Sequence, residues 1–175
     1  MNIYLTGYMA SGKTYIGRHL AQKLDIPFID LDACIVERYE QTVSAIFAAE
    51  GEAAFRQKET ETLKSIPVTA NAIVSCGGGT FCFPQNRDWI KEQGISIYLK
   101  VTVNILFNRL SAKEESRPII KANNGTAEEL RTFIETHLAS RETDYEQADI
   151  VYEADGAVGE IVAELSTYFW RFLKS

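Results

Sequence analysis

The sequence is short of several residue types, and each shortage closes off a class of explanation. Its three cysteines, Cys34, Cys76 and Cys82, are odd in number and form no CxxC pair, so neither a disulfide framework nor a thiolate zinc site is expected. The two histidines, His19 and His137, have no cysteine or second histidine at metal-ligand spacing and read as helix-surface or packing residues. No run reaches the roughly 18 apolar residues of a membrane span. The opening MNIYLTG lacks the charged start and cleavage site of a secretory leader and reads as a first strand. These features lead us to expect a reduced, soluble, cytoplasmic protein. Positive charge is also scarce: 18 Lys and Arg against 24 Asp and Glu leave a formal charge of −6. That balance argues against a general nucleic-acid-binding surface but leaves room for a small anion held by a few placed arginines.

What is present is enough apolar material for one core: 46% hydrophobic residues in a chain of 175. No repeat, low-complexity tract or linker marks a second domain, so residues 1–175 are expected to form one. Strands are expected at 2–6, 26–32, 72–76, 94–100 and 149–153, and helices at 13–23, 85–93, 102–110, 127–139 and 157–171. Three short helical pieces fill 33–66, with Thr42 and Ser44 as candidate caps. Strands with nearly continuous apolar cores, separated by helices, indicate a parallel sheet covered on both faces. The polar stretch 111-SAKEESRPIIKANNGT-126 carries Pro118 and Asn124-Gly125 and has the composition of a loop or lid.

The most specific signal is 7-GYMASGKT-14, directly after the apolar run IYL, which satisfies G-x-x-x-x-G-K-[ST]. By residue frequencies, a chain of this length matches that pattern by chance about one time in 200. The chemistry needs each part. Gly7 and Gly12 let the backbone curl so that amide hydrogens point at phosphate oxygens, and the following helix adds the positive end of its dipole. Lys13 brings a positive charge to the terminal phosphates, and the Thr14 hydroxyl can ligate magnesium. Small Ala10 and Ser11 suit the bend.

Asp30 and Asp32 stand two apart at the end of an expected strand, so both side chains can point the same way above the sheet. Carboxylates there can hold magnesium through water or accept a proton from an incoming hydroxyl. The structural alternative is that they end a strand and cap the next helix. Gly77, Gly78 and Gly79, after the run AIVSC, suit close approach of backbone to a ligand, or else a flexible turn. Arg56, Arg117 and Arg141 are candidate anion clamps. Arg56 lies on a helix with Phe55 beside it and Glu52 and Glu59 within reach, Arg117 sits in the expected lid, and Arg141 falls just past an expected helix end. Cys76 reads as a small buried hydrophobe, and Trp89, Phe169 and Trp170 as packing anchors.

Taken together, 7-GYMASGKT-14, 28-FIDLD-32, 50-EGEAAFRQKE-59, 77-GGG-79, 117-RP-118 and 141-RETDY-145 resemble the shikimate kinase family in order and spacing over nearly the whole chain. The resemblance implies a P-loop, nucleoside-monophosphate-kinase-like α/β/α sandwich with a five-stranded parallel sheet in the order 2-3-1-4-5. It also implies a substrate-binding helical region at about 33–60, a lid at about 111–125 and a monomeric state. The implied activity is transfer of the γ-phosphoryl group of ATP to the 3-hydroxyl of shikimate. By motif position, Ala10, Ser11, Gly12, Lys13, Thr14 and Tyr15 hold ATP, and Arg117 reaches its phosphates from the lid. Thr14 and Asp30 hold Mg2+. Asp32 bonds the substrate hydroxyls and acts as base or orienter, Arg56 and Arg141 take the carboxylate, and Gly78 and Gly79 contact the substrate through their backbone.

The chain departs from the pattern in three places. Ala10 stands where the family often has glycine, Thr143 and Asp144 where proline and leucine are common, and Glu153-Ala154 replaces an aspartate–threonine ending near the base. Two other readings share the scaffold: a kinase for another hydroxylated acid such as gluconate, and a nucleotide-binding regulatory protein without transfer activity. Retention of Asp32, Arg56 and Arg117 argues against the latter.

Overall fold

The apolar run at 2–6 becomes the central strand of a parallel sheet in a computed structural model, which describes residues 1–112 and 126–173. This strand, β1 (Asn2–Thr6), is buried along its whole length, as befits a strand with helices over both faces. β2 (Phe28–Asp30), β3 (Ile73–Ser75), β4 (Gly94–Lys100) and β5 (Ile150–Glu153) complete the order β2-β3-β1-β4-β5. All neighbours run parallel, with Asp30 beside Ser75 and Leu5 beside both Ser75 and Ile97. The sheet order implied by the family resemblance is therefore the one observed.

Around the sheet lie α1 (Lys13–Leu24), α2 (Leu31–Tyr39), α3 (Val43–Ser65), α4 (Pro84–Gln93), α5 (Val103–Ser111), α6 (Ala127–Tyr145) and α7 (Val158–Leu173). α1 buries Ile16, Leu20 and Leu24 and presses so close to the sheet that a β-carbon on Gly17 would come 2.7 Å from the Phe28 ring. α7 packs against α1, α4 against β4 and α5 against α6. Polar side chains also register the strands. Buried Asn2 donates to the Pro67 carbonyl at 3.1 Å and accepts from the Ala72 amide at 3.0 Å, while Asp149 accepts from the amide and hydroxyl of Ser96 at 2.9 and 2.6 Å.

Three expectations are corrected. The strand expected at 26–32 stops at Asp30, because Asp30 takes the cap position of α2 and accepts the Ala33 amide at 3.2 Å. Asp32 therefore lies in the first turn of a helix rather than on a strand. The helix expected at 127–139 runs on to Tyr145, so Arg141 is inside it; Thr126 and Glu129 form a capping box at its start, and fully buried Tyr145 draws its last turn into the core. Trp170 is 48% exposed and is no buried anchor, whereas Phe169 is fully buried and Trp89 packs edge-on to Tyr4 at 6.0 Å.

Thr42 caps α3 through the Ala45 amide at 3.1 Å. That helix breaks at Gly51, whose φ of 82° and ψ of 176° interrupt it, giving the three helical pieces expected before residue 66. Residues 113–125, with Arg117, Pro118 and most of the expected lid, lie outside the described residues. Among the described residues no helix is long and apolar enough to cross a membrane, and the three cysteines are unpaired.

Candidate active site

The loop between β1 and α1 has the curled backbone its glycines allow. Gly7 has φ 136° and Gly12 has φ 100°, and a β-carbon on Gly7 would stand 2.9 Å from the Leu99 carbonyl. Ala10 also adopts a left-handed conformation, with φ 63°, so the departure noted at this position carries backbone strain. Buried Lys13 donates from Nζ to the Gly7 and Tyr8 carbonyls, each at 2.8 Å, and lies 3.5 Å from Ser11 Oγ. From α5, Arg109 Nη1 donates to the Ala10 and Ser11 carbonyls at 3.0 and 3.1 Å. Its guanidinium thereby braces the loop from the edge of the cleft, a role the sequence did not signal.

Strand register sets the oxygen cluster beside this loop. Thr14 Oγ1 donates to Asp30 Oδ2 at 2.9 Å and lies 3.2 Å from Ser75 Oγ, and Asp30 and Ser75 are register partners at the ends of β2 and β3. The other Asp30 oxygen caps α2, the structural alternative open at the sequence level, while the first stays beside Thr14 in the phosphate loop. Ser75 was not anticipated; its only signal is its place at a strand end just before Cys76 and the glycines. Among the described residues no group of three His, Cys, Asp or Glu could hold a metal. A hydroxyl with a neighbouring carboxylate nevertheless suits a hard cation that keeps most of its waters.

The three glycines make three different contacts. A β-carbon on Gly77 would come 2.9 Å from Glu59 Oε1 and 3.2 Å from Asp32 Oδ1. The Gly78 carbonyl accepts from the Tyr145 hydroxyl and lies 3.4 Å from Arg141 Nη1. A β-carbon on Gly79 would lie 2.5 Å from Arg56 Nη2. Any side chain at Gly77 or Gly79 would strike one of these charged groups. The loop thus brings Asp32, Arg56 and Arg141 together, although they come from different helices.

Arg56 is held on several sides. Nη1 donates to Glu59 Oε2 at 2.9 Å, and Nε and Nη2 donate to Glu52 Oε1 at 3.3 and 3.2 Å. The guanidinium also lies 5.2 Å from the Phe55 ring and 4.9 Å from that of Phe83. Fully buried Glu59 is further satisfied by the Thr80 hydroxyl at 2.6 Å. Asp32 is solvent-exposed on its cleft side, with protein close around its carboxyl on the others. That confinement, reinforced by the Asp30 and Glu59 carboxylates and only partly opposed by Lys13 and Arg56, pushes its carboxyl up to about 6. The departure at 144 is accommodated by an ion pair, with Arg87 of α4 donating to Asp144 at 2.8 Å.

A cavity of about 560 Å³ runs over the loop. Ala10, Gly12, Lys13, Thr14 and Tyr15 line it on one side, and Asp32, Ser75, Gly77 and Gly78 on another; Arg109, Ala112 and Val158 also border it. Ser11, within the loop, is fully buried. Arg141 and Arg56 lie outside this lining: Arg141 reaches the carbonyl of Gly78, and Arg56 sits over Gly79 and borders a neighbouring pocket with Glu52 and Phe83.

A family model, Shikimate kinase (SKI), matches residues 9–169. The shikimate kinase of Bacteroides thetaiotaomicron is 39% identical over 155 residues, which cover 89% of this chain and 87% of that protein. A crystal structure of shikimate kinase from the same organism superposes with a TM-score of 0.90 at 36% identity, covering 97% of this chain and 98% of that one. A shikimate kinase from Acinetobacter baumannii, solved in complex with shikimate, gives a TM-score of 0.84 at 29% identity over 98% of this chain and 92% of that one.

Proposed function

The chain belongs to the shikimate kinase family, and from that premise we propose how its own residues transfer the γ-phosphoryl group of ATP to the 3-hydroxyl of shikimate. The gluconate-kinase and regulatory readings have no support of this strength. The observation that carries the assignment of residues is the threefold contact of the glycine loop: Gly77 against Asp32, Gly78 against Arg141 and Gly79 against Arg56. A hydroxylated ring acid needs guanidinium groups for its carboxylate and a carboxylate for its hydroxyls, and both gather beside one nucleotide cradle.

ATP lies with its phosphates among the amides from Ala10 to Tyr15 at the start of α1, and Lys13 and the lid residue Arg117 supply positive charge to them. Arg56 and Arg141 grip the substrate carboxylate. Arg56, already locked by Glu52, Glu59 and two rings, loses little freedom on binding. Gly78 and Gly79 let the substrate approach bare backbone. Asp32 accepts a hydrogen bond from the 3-hydroxyl and takes its proton as the bond from that oxygen to the γ-phosphorus forms. The bond from phosphorus to the β–γ bridging oxygen breaks, and ADP leaves. A carboxyl near 6 is basic enough for this task yet ionised at neutral pH.

Thr14 and Asp30 would hold Mg2+, with Ser75 backing the Thr14 hydroxyl. The ion would supply positive charge to offset that of the phosphates. The same reading makes residues 1–175 one domain acting as a cytoplasmic monomer, without a nucleic-acid or membrane partner. In it, the helical region 33–60 recognises the acid, and 111–125 closes as a lid that excludes water.

A coupled ADP-release assay with shikimate, quinate and gluconate as acceptors tests the proposal. Shikimate is expected to stimulate ADP release well above the other two. Absence of shikimate stimulation overturns the proposal, and stimulation by gluconate alone installs the alternative.

A further inference from the structure

Arg141 is one of three side chains that α6 aims at the loops of the site. His137, Arg141 and Tyr145 follow at intervals of four residues and so share a helix face. Tyr145 and Arg141 both reach the Gly78 carbonyl. His137, one turn earlier, reaches a different element: its Nδ1 lies 2.9 Å from the hydroxyl of Tyr8, the residue directly after Gly7 in the phosphate loop. The Tyr8 and His137 rings meet edge to face at 5.5 Å, and Phe133 covers His137 at 5.1 Å.

The surroundings keep both partners neutral. Burial pushes the Tyr8 phenol up to about 12 although Arg141 opposes it, so the hydroxyl keeps its proton. Burial and the neighbouring Arg141 cation hold His137 below its ordinary range, against the opposing pull of Glu52 from α3. A neutral ring carries one proton: with it on Nε2 the Tyr8 hydroxyl donates to Nδ1, and with it on Nδ1 the hydroxyl accepts, so the bond is made in either tautomer. His137 thus stands among Arg141 and Glu52 on the acid-binding side and Tyr8 on the nucleotide side.

We propose that His137, latched to the phosphate loop by Tyr8, is a positioning residue for Arg141. By fixing the first of the three rungs it sets the pitch of α6 over the glycine loop and aims the guanidinium at the substrate carboxylate. Buried Leu130, Ile134 and Leu138 hold the helix to the core; of the three rungs, the two at Gly78 tie this face to the glycine loop, and only the third ties it to the phosphate loop. The proposal rests on the reading of Arg141 as a carboxylate clamp.

Steady-state kinetics and thermal melts on five variants test it: Tyr8→Phe, His137→Leu, His137→Asn, Arg141→Met and the double variant His137→Leu/Arg141→Met. Tyr8→Phe removes one oxygen, and His137→Asn keeps an acceptor near the position of Nδ1. Tyr8→Phe and His137→Leu are expected to raise the KM for shikimate by about threefold to tenfold, the worth of one hydrogen bond, with the KM for ATP within about twofold. His137→Asn should recover most of that loss. The double variant should bind shikimate no worse than Arg141→Met alone, because a positioning residue acts only through the group it positions.

Three results would overturn the proposal: losses that add in the double variant, equal rises in both Michaelis constants, or His137→Asn behaving as His137→Leu does. If Arg141→Met itself leaves the shikimate KM unchanged, the clamp assignment falls and this inference with it. If Arg141→Met is impaired while His137→Leu and Tyr8→Phe are normal, only this inference falls.

Discussion

Gly79 lies directly beneath Arg56: a β-carbon at residue 79 would stand 2.5 Å from Nη2 and 2.8 Å from Cζ of that guanidinium. Backbone conformation is not the constraint, since Gly79 has φ −105°. Gly79→Ala should therefore fold, displacing the end of the Arg56 side chain from Glu59 and Glu52. We expect the KM for shikimate to rise about tenfold or more, the loss of a bidentate grip worth roughly 1.5–3 kcal/mol, with ATP affinity little changed. A crystal structure of the variant with Arg56 unmoved would contradict this account.

Asp32 links acidity to both activity and stability. With its carboxyl at about 6, kcat/KM should rise with pH and level off above that value, and Asp32→Asn should lose nearly all turnover. The stability sign is opposite to that of an ion-paired aspartate. Folded Asp32 holds its proton more tightly than the unfolded residue, whose value is 3.8, so its contribution favours folding at acid pH and is lost as pH rises from about 4 to about 6. Asp32→Asn is accordingly expected to melt higher than the parent at pH 7.5 and to show no such gain at pH 4. An unchanged melting temperature at pH 7.5 would contradict the confinement described above.

Ala10 holds a left-handed backbone without the help of glycine. Ala10→Gly should relieve about 1 kcal/mol of strain, partly offset by glycine's greater chain entropy, for a net gain of about 0.5 kcal/mol in urea titration. Turnover should be retained. A loss of stability would mean that the β-methyl contributes packing that outweighs the strain.

Arg109 braces the loop through the Ala10 and Ser11 carbonyls. Arg109→Met keeps the side chain's apolar bulk and removes both bonds. We expect the KM for ATP to rise about tenfold while that for shikimate stays within about twofold. Equal effects on both would indicate general loosening of the fold.

The features legible in the sequence were those whose chemistry is local. The phosphate loop needs its residues at fixed spacing within one turn, and the Glu52–Arg56–Glu59 cluster follows from helical periodicity. Features joining distant segments were not legible. Arg109 meets Ala10 across 99 residues and Tyr8 meets His137 across 129, and no spacing rule connects them. The strand pattern extends to Asp32 because Asp30 can either continue a strand or cap a helix. The local sequence suits both, and packing of Leu31 and Ile35 into the core decides. The length of α6 was underestimated for a similar reason. Ser140, Thr143 and Asp144 are weak helix formers, and burial of Tyr145 overrides them.

Asp30 and Ser75 face each other in register, and Ser75 is also paired with Leu5, two residues before Gly7. The sheet therefore works as a ruler for the chemistry, since sliding any of these three strands by one residue would turn its terminal side chain to the opposite face. Evolution is left with unequal latitude: these three strand tips must keep their lengths, while outlying helices can take up new pairs such as Arg87–Asp144. A redesign for a new acceptor should accordingly vary α3 and α6 and leave the strand ends untouched.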